Sequence, residues 1–83
     1  MTDIMIRLNS TDEIIKFNKI ITKYNCYFDL EVGHNYVDAK SLLGIYSLSL
    51  NQPMLLHIQA EGELAEEIVE KLSCFICEKS AVH

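Results

Sequence analysis

Three short stretches of this chain place apolar residues at every second position, and two longer ones place them every third or fourth. Ile4, Ile6 and Leu8 alternate with Met5 and Arg7. Cys26, Phe28, Leu30 and Val32 alternate with Tyr27, Asp29 and Glu31, and Leu56, Ile58 and Ala60 alternate with Leu55, His57 and Gln59. A period of two marks a strand with one side on a core. Gly33-His34-Asn35 supplies the turn for a hairpin into a further short strand, Tyr36 to Ala39.

The longer stretches read as helices. Ser10 followed by Glu13 forms a capping box, in which each side chain satisfies a donor at a helix start. At about 100° per residue, Ile14, Phe17, Ile20, Ile21 and Tyr24 share a face, so this helix runs to about Tyr24 with Ile15 outside the stripe. Asn51-Gln52-Pro53 breaks the chain before the last strand, because proline biases its predecessor away from helix. Glu61-Gly62-Glu63 then turns into a final helix with Leu64, Ala65, Ile68, Val69, Leu72, Phe75 and Ile76 as a broad stripe. Its opposite face carries Glu63, Glu66, Glu67 and Glu70, with Lys71 spaced to pair with Glu67.

One-sided strands and one-sided helices pack as two layers. Alternation, rather than solid apolar runs, makes the sheet antiparallel with its far face in water. The expected class is α+β, an open-faced β-sandwich in the order β-α-β-β-α-β-α: a four-stranded antiparallel sheet with three helices on one face. Residues 1–83 make one domain, burying roughly 60–65% of the unfolded surface.

Composition closes off several functions. Seven Lys and Arg against twelve Asp and Glu leave a net charge of −5, which excludes a nucleic-acid footprint. No apolar run is long enough to span a bilayer, and Met1-Thr2-Asp3-Ile4 lacks a basic start, so no membrane role is expected. Three cysteines without a leader point to reduced thiols in a cytoplasm. No cofactor is expected.

The stretch Val37 to Leu48 ties the chain together. Asp38-Ala39-Lys40 ends a strand, Ser41 caps a short helix, and that helix is apolar nearly all round. Gly44 inside so short a helix costs stability, which implies a close approach. The pattern K-S-x-x-G-x-x-S-L, from Lys40 to Leu48, resembles the second-helix region of HPr, the phosphocarrier family of the bacterial sugar phosphotransferase system. Without gaps the resemblance runs from about Thr22 to about Leu72 and implies the same open-faced sandwich.

In that family a phosphoryl group rides on a histidine at the start of the first helix, within an H-A-R-P run. Ser10-Thr11-Asp12-Glu13 stands there instead, with Ser10 in place of the histidine and Asp12 in place of the arginine. A helix N-terminus attracts phosphate through free N–H groups and its positive dipole end. Here a capping box occupies donors, and two carboxylates stand where the phosphate would sit. His34, His57 and His83 fall in a turn, on an outer strand face and at the terminus. Histidine phosphocarrier activity is therefore not expected, and neither is enzyme activity.

Many family members are also phosphorylated by a dedicated kinase on the serine matching Ser41, and one relative lacks the histidine and keeps only this serine switch. A phosphate on Ser41 would meet a helix N-terminus with Lys40 adjacent, worth about 0.3–1 kcal/mol at an exposed site. The chemistry alone allows a second reading, in which Ser41 is simply the cap. Ile15, Leu42, Leu43 and Tyr46 form a candidate docking patch for a protein partner, on the surface between the first two helices that family members use for exchange partners. The plainer alternative is a core of Ile45 and Leu48 with the others lying flat.

Cys74 and Cys77 are the remaining candidates, placed by helical angle on the outer face of the last helix. Two helical positions this close fit disulfide geometry poorly, and a metal would lack further ligands. The reading is a regulatory or interaction module switched at Ser41. The alternatives are a thiol or metal protein acting through Cys74 and Cys77, or a self-associating unit of the same fold.

Overall fold

The structure, a computed structural model, describes residues 1–48 and 52–77. Asn51, Glu78 and His83 lie outside the described residues. The elements are β1 (Thr2–Ile6), α1 (Thr11–Ile21), β2 (Phe28–Val32), β3 (Asn35–Asp38), α2 (Leu42–Tyr46), β4 (Met54–Ile58) and α3 (Gly62–Lys71), followed by a 3-10 turn, Ser73–Phe75. The order expected from periodicity is the order observed.

The strands form one antiparallel sheet in the order β1-β4-β2-β3. Alternation decides its two faces. Ile6, Phe28, Leu30, Met54, Leu56 and Ile58 point inward and are buried. They meet Ile14, Phe17 and Ile21 of α1, Ile45 of α2, Ile68 of α3, and Leu72 and Phe75 beyond it in one core. Each such side chain contributes about 1.5–3 kcal/mol of burial. Phe17 and Phe75 meet edge to face, with ring centroids 5.9 Å apart.

Several boundaries differ from the sequence reading. β1 stops at Ile6, although Leu8 beyond it is buried. Cys26 precedes β2, and Ala60 follows β4. Asn35 is the first residue of β3, paired with Val32, so the hairpin turn is Gly33-His34 alone. Gly33 has φ of 60°, a conformation glycine adopts without the usual side-chain penalty. α1 closes at Ile21, where the Thr22 amide bonds back to the Asn18 carbonyl. Tyr24 still packs against the core from the following turn.

The largest difference is at the end of α3. The apolar stripe continues through Phe75 and Ile76, but the helix ends at Lys71. Phe75 reaches the core from the 3-10 turn, and Ile76 is extended and bridges Ile6 on the edge of β1. The Arg7 amide donates to the Phe75 carbonyl and the Cys77 amide to the Met5 carbonyl, both at 2.9 Å. These edge bonds satisfy backbone groups that a longer helix would leave on β1 unpaired. Leu64, expected in the stripe, is exposed. Glu67 accepts from the Tyr24 hydroxyl at 2.9 Å, and no Glu67–Lys71 bond forms. No helix among the described residues is long and apolar enough to cross a membrane.

Candidate functional site

Two serine-capped helix starts face the question of where a phosphate could sit. At α1 the Ser10 hydroxyl accepts from the Glu13 amide at 3.2 Å, and Glu13 Oε1 accepts from the Asn9 amide at 2.8 Å. The capping box is therefore present, with Glu13 reaching one residue farther back than the simplest form of the motif. Ser10, Thr11 and Asp12 are exposed, and the first turn carries the negative charges of Asp12 and Glu13. No histidine lies in this segment; His34 is in the exposed β2–β3 turn and His57 on the outer face of β4.

Arg7, which sequence reasoning passed over, lines a shallow cavity of about 380 Å³ with Asn9, Glu13, Pro53, Cys74 and Cys77. In the sequence it read only as the outward residue of a strand. Its neighbours arrive from the far end of the chain, which no local pattern reveals.

At α2 the entry is built by Asp38. Its carboxylate accepts from the Lys40 amide at 2.9 Å and its carbonyl from the Ser41 amide at 3.0 Å, an Asx-type turn that aims the chain into the helix. The half-buried Ser41 hydroxyl accepts from the Gly44 amide at 3.1 Å. Gly44 provides the close approach anticipated for it: a Cβ there would come within 3.3 Å of Val37 Cβ. Asn18 of α1 donates to the Lys40 carbonyl at 3.0 Å and fixes α1 beside this entry.

Lys40 corrects one expectation. Its amine bonds the Tyr24 carbonyl and lies 5.6 Å from the centre of the Phe28 ring, so it serves the turn after α1 rather than Ser41. As a resting place for an ammonium group, a backbone acceptor together with an aromatic face outweighs a hydroxyl already engaged as a helix cap. No acidic residue lies in the first turn of α2, in contrast to α1.

Among the docking candidates, Leu43 is 82% exposed, Tyr46 45% and Ile15 38%. Leu42 is only half-exposed and packs against the core, and Ile45 is buried. The cysteines do not share a helix face, contrary to the sequence reading. Cys74 is exposed in the 3-10 turn, and Cys77 is half-buried on the extended segment beside β1. The helical objection to their pairing thus does not apply, although both thiols are free.

An open-faced sandwich with a serine-capped second helix at the edge of its helical layer is the architecture of the small phosphocarrier proteins. A family model described as "PTS HPr component phosphorylation site" matches residues 13–78. The chain therefore belongs to the HPr family of the phosphotransferase system. The match begins at Glu13, beyond Ser10 and Asp12. Among solved structures, the crystal structure of HPr-C-His from Thermoanaerobacter tengcongensis superposes with a TM-score of 0.71 at 22% identity, covering 89% of each chain. That likeness supports the fold. No curated protein matches the chain.

Proposed function

We propose that this HPr-family protein is a non-enzymatic regulatory module of the bacterial cytoplasm, one domain over residues 1–83, that docks a protein partner through the α1–α2 surface. Ser41 is its phosphorylation switch, modified by a serine kinase, and it carries no phosphoryl group on histidine. The observation that bears most weight is the contrast between its two caps. Ser10 begins a turn with two carboxylates, whereas Ser41 begins a turn with none and is followed by the exposed Leu43 and Tyr46. A phosphate on Ser41 would keep the Gly44 amide as a donor and gain the dipole of the helix start. It would also bring charge to the rim of an apolar patch, where it would alter docking.

The test is intact-mass spectrometry after incubation with source-cell extract, once with ATP and once with phosphoenolpyruvate. One phosphate gained from ATP alone is the expected result. An acid-labile phosphate gained from phosphoenolpyruvate would restore carrier activity and overturn the reading.

A second reading keeps some support, because Cys74 and Cys77 line the same cavity as Arg7. Alkylation of both thiols would abolish function under that reading and leave the serine switch intact under the first. Its metal form finds no group of three or more His, Cys, Asp or Glu side chains among the described residues that could hold an ion.

A further inference from the structure

The outer face of the sheet holds a titratable cluster that the proposed docking function does not use. Strand order puts β4 between β1 and β2, and register puts His57 directly between Asp3 and Asp29. His57 Nδ1 lies 2.8 Å from Asp3 Oδ1, and Nε2 lies 2.8 Å from Glu31 Oε1. Both ring nitrogens thus meet carboxylate oxygens, one on each flanking strand. A neutral imidazole has a single N–H and can satisfy one of these contacts; the imidazolium donates to both. The His57 side chain is 15% exposed, while Asp3 stands 44% exposed and Glu31 27%, so the Glu31 contact is the more sheltered of the two.

The rest of the face reinforces the same preference. Asp29 pairs across β2–β3 with Asp38, placing like charges opposite one another beside the histidine. Tyr36 of β3 stacks on the imidazole with ring centroids 6.0 Å apart and planes 21° from parallel. The Glu31 carboxylate beside it raises the Tyr36 phenol above its ordinary value of 10.0. The titratable groups on this part of the face are therefore Asp3 from β1 and Glu31 from β2 in contact with His57, Asp29 from β2 beside it, Tyr36 from β3 stacked on it, and Asp38 from β3 one strand beyond Asp29. No basic side chain is among them.

We propose that Asp3, His57 and Glu31 form a proton-operated clamp that ties both neighbouring strands to β4, engaged when the imidazole is charged and weakened when it is neutral. The bond to Glu31 is the foremost cause holding His57 above its ordinary 6.5, with Asp3 adding to it and burial opposing. The sign follows from linkage. A group raised on folding stabilises fully below its unfolded value, and that stabilisation is lost as pH rises through the folded value. The clamp is therefore complete below the ordinary imidazole value of 6.5 and fades as pH rises through the raised value of the folded chain.

The test is a proton–carbon NMR titration of the folded full-length chain, with the His57 ring signal assigned by its absence in H57Q. The His57 midpoint is expected above 6.5, lowered in both E31Q and D3N, and lowered more by E31Q. Urea midpoints of the wild type should fall relative to H57Q as pH rises through that range. A His57 midpoint at or below 6.5 would overturn the clamp. So would a midpoint indifferent to both carboxamide variants, or a wild-type urea profile parallel to that of H57Q.

Discussion

The two serine caps differ less in their hydrogen bonds than in what surrounds them. Ser10 and Ser41 each accept from the amide three residues on, at 3.2 and 3.1 Å. Around Ser10 the turn is exposed and acidic, and it opens an eleven-residue helix. Around Ser41 the turn is half-buried and free of acid, and it opens five residues held in place by one buried isoleucine, Ile45. A serine at a helix start identifies a cap; the charge and apolar surface around it are what the proposed phosphorylation of Ser41 rests on.

The comparison can be broken most forcefully at its anchor. With so short a helix, α2 depends on Ile45 rather than on its own hydrogen bonds. Ile45→Ala should cost about 2–5 kcal/mol in urea unfolding. A loss under 1 kcal/mol would mean that α2 is held by something other than burial. Removal of the caps is expected to be milder and equal on both sides. Ser10→Ala and Ser41→Ala should each cost about 0.5–2 kcal/mol, the range for a lost N-cap. A near-zero cost at Ser41 alone would mean that its bond from the Gly44 amide does not hold α2 in place.

The smallest effect on stability is expected at the surface. Leu43→Asp and Tyr46→Asp should shift unfolding by no more than about 0.5 kcal/mol, as exposed positions do. Partner capture from source-cell extract should nevertheless be lost. Retained capture with unchanged stability would detach the apolar residues of α2 from docking. Gel filtration of Tyr46→Asp beside the wild type also addresses self-association, which would appear as a dimer broken only in the variant.

Much of the fold was legible because burial is one-sided. Alternation at Leu56 and Ile58 and the stripe of Ile14, Phe17 and Ile21 each report a face in contact with the core. The end of α3 was not legible for the same reason. Phe75 and Ile76 are apolar at the right spacing, yet they meet the core from a 3-10 turn and a strand edge. Periodicity reports that a side chain is buried, not which backbone carries it there. Lys40 was misplaced because adjacency in sequence to Ser41 says nothing about a carbonyl at Tyr24, sixteen residues back. The outer-face cluster was hidden likewise. The pattern turned Glu31 and His57 toward solvent, but only strand order and register bring them together with Asp3.

The most direct measurement locates the phosphate. Source-cell extract with ATP is applied to the wild type, Ser10→Ala and Ser41→Ala, and tandem mass spectrometry maps the modified residue. A single phosphate on Ser41, unchanged in Ser10→Ala and absent from Ser41→Ala, is the expected result. A phosphate mapped to Ser10 or to a histidine, or one that survives Ser41→Ala, would contradict the account.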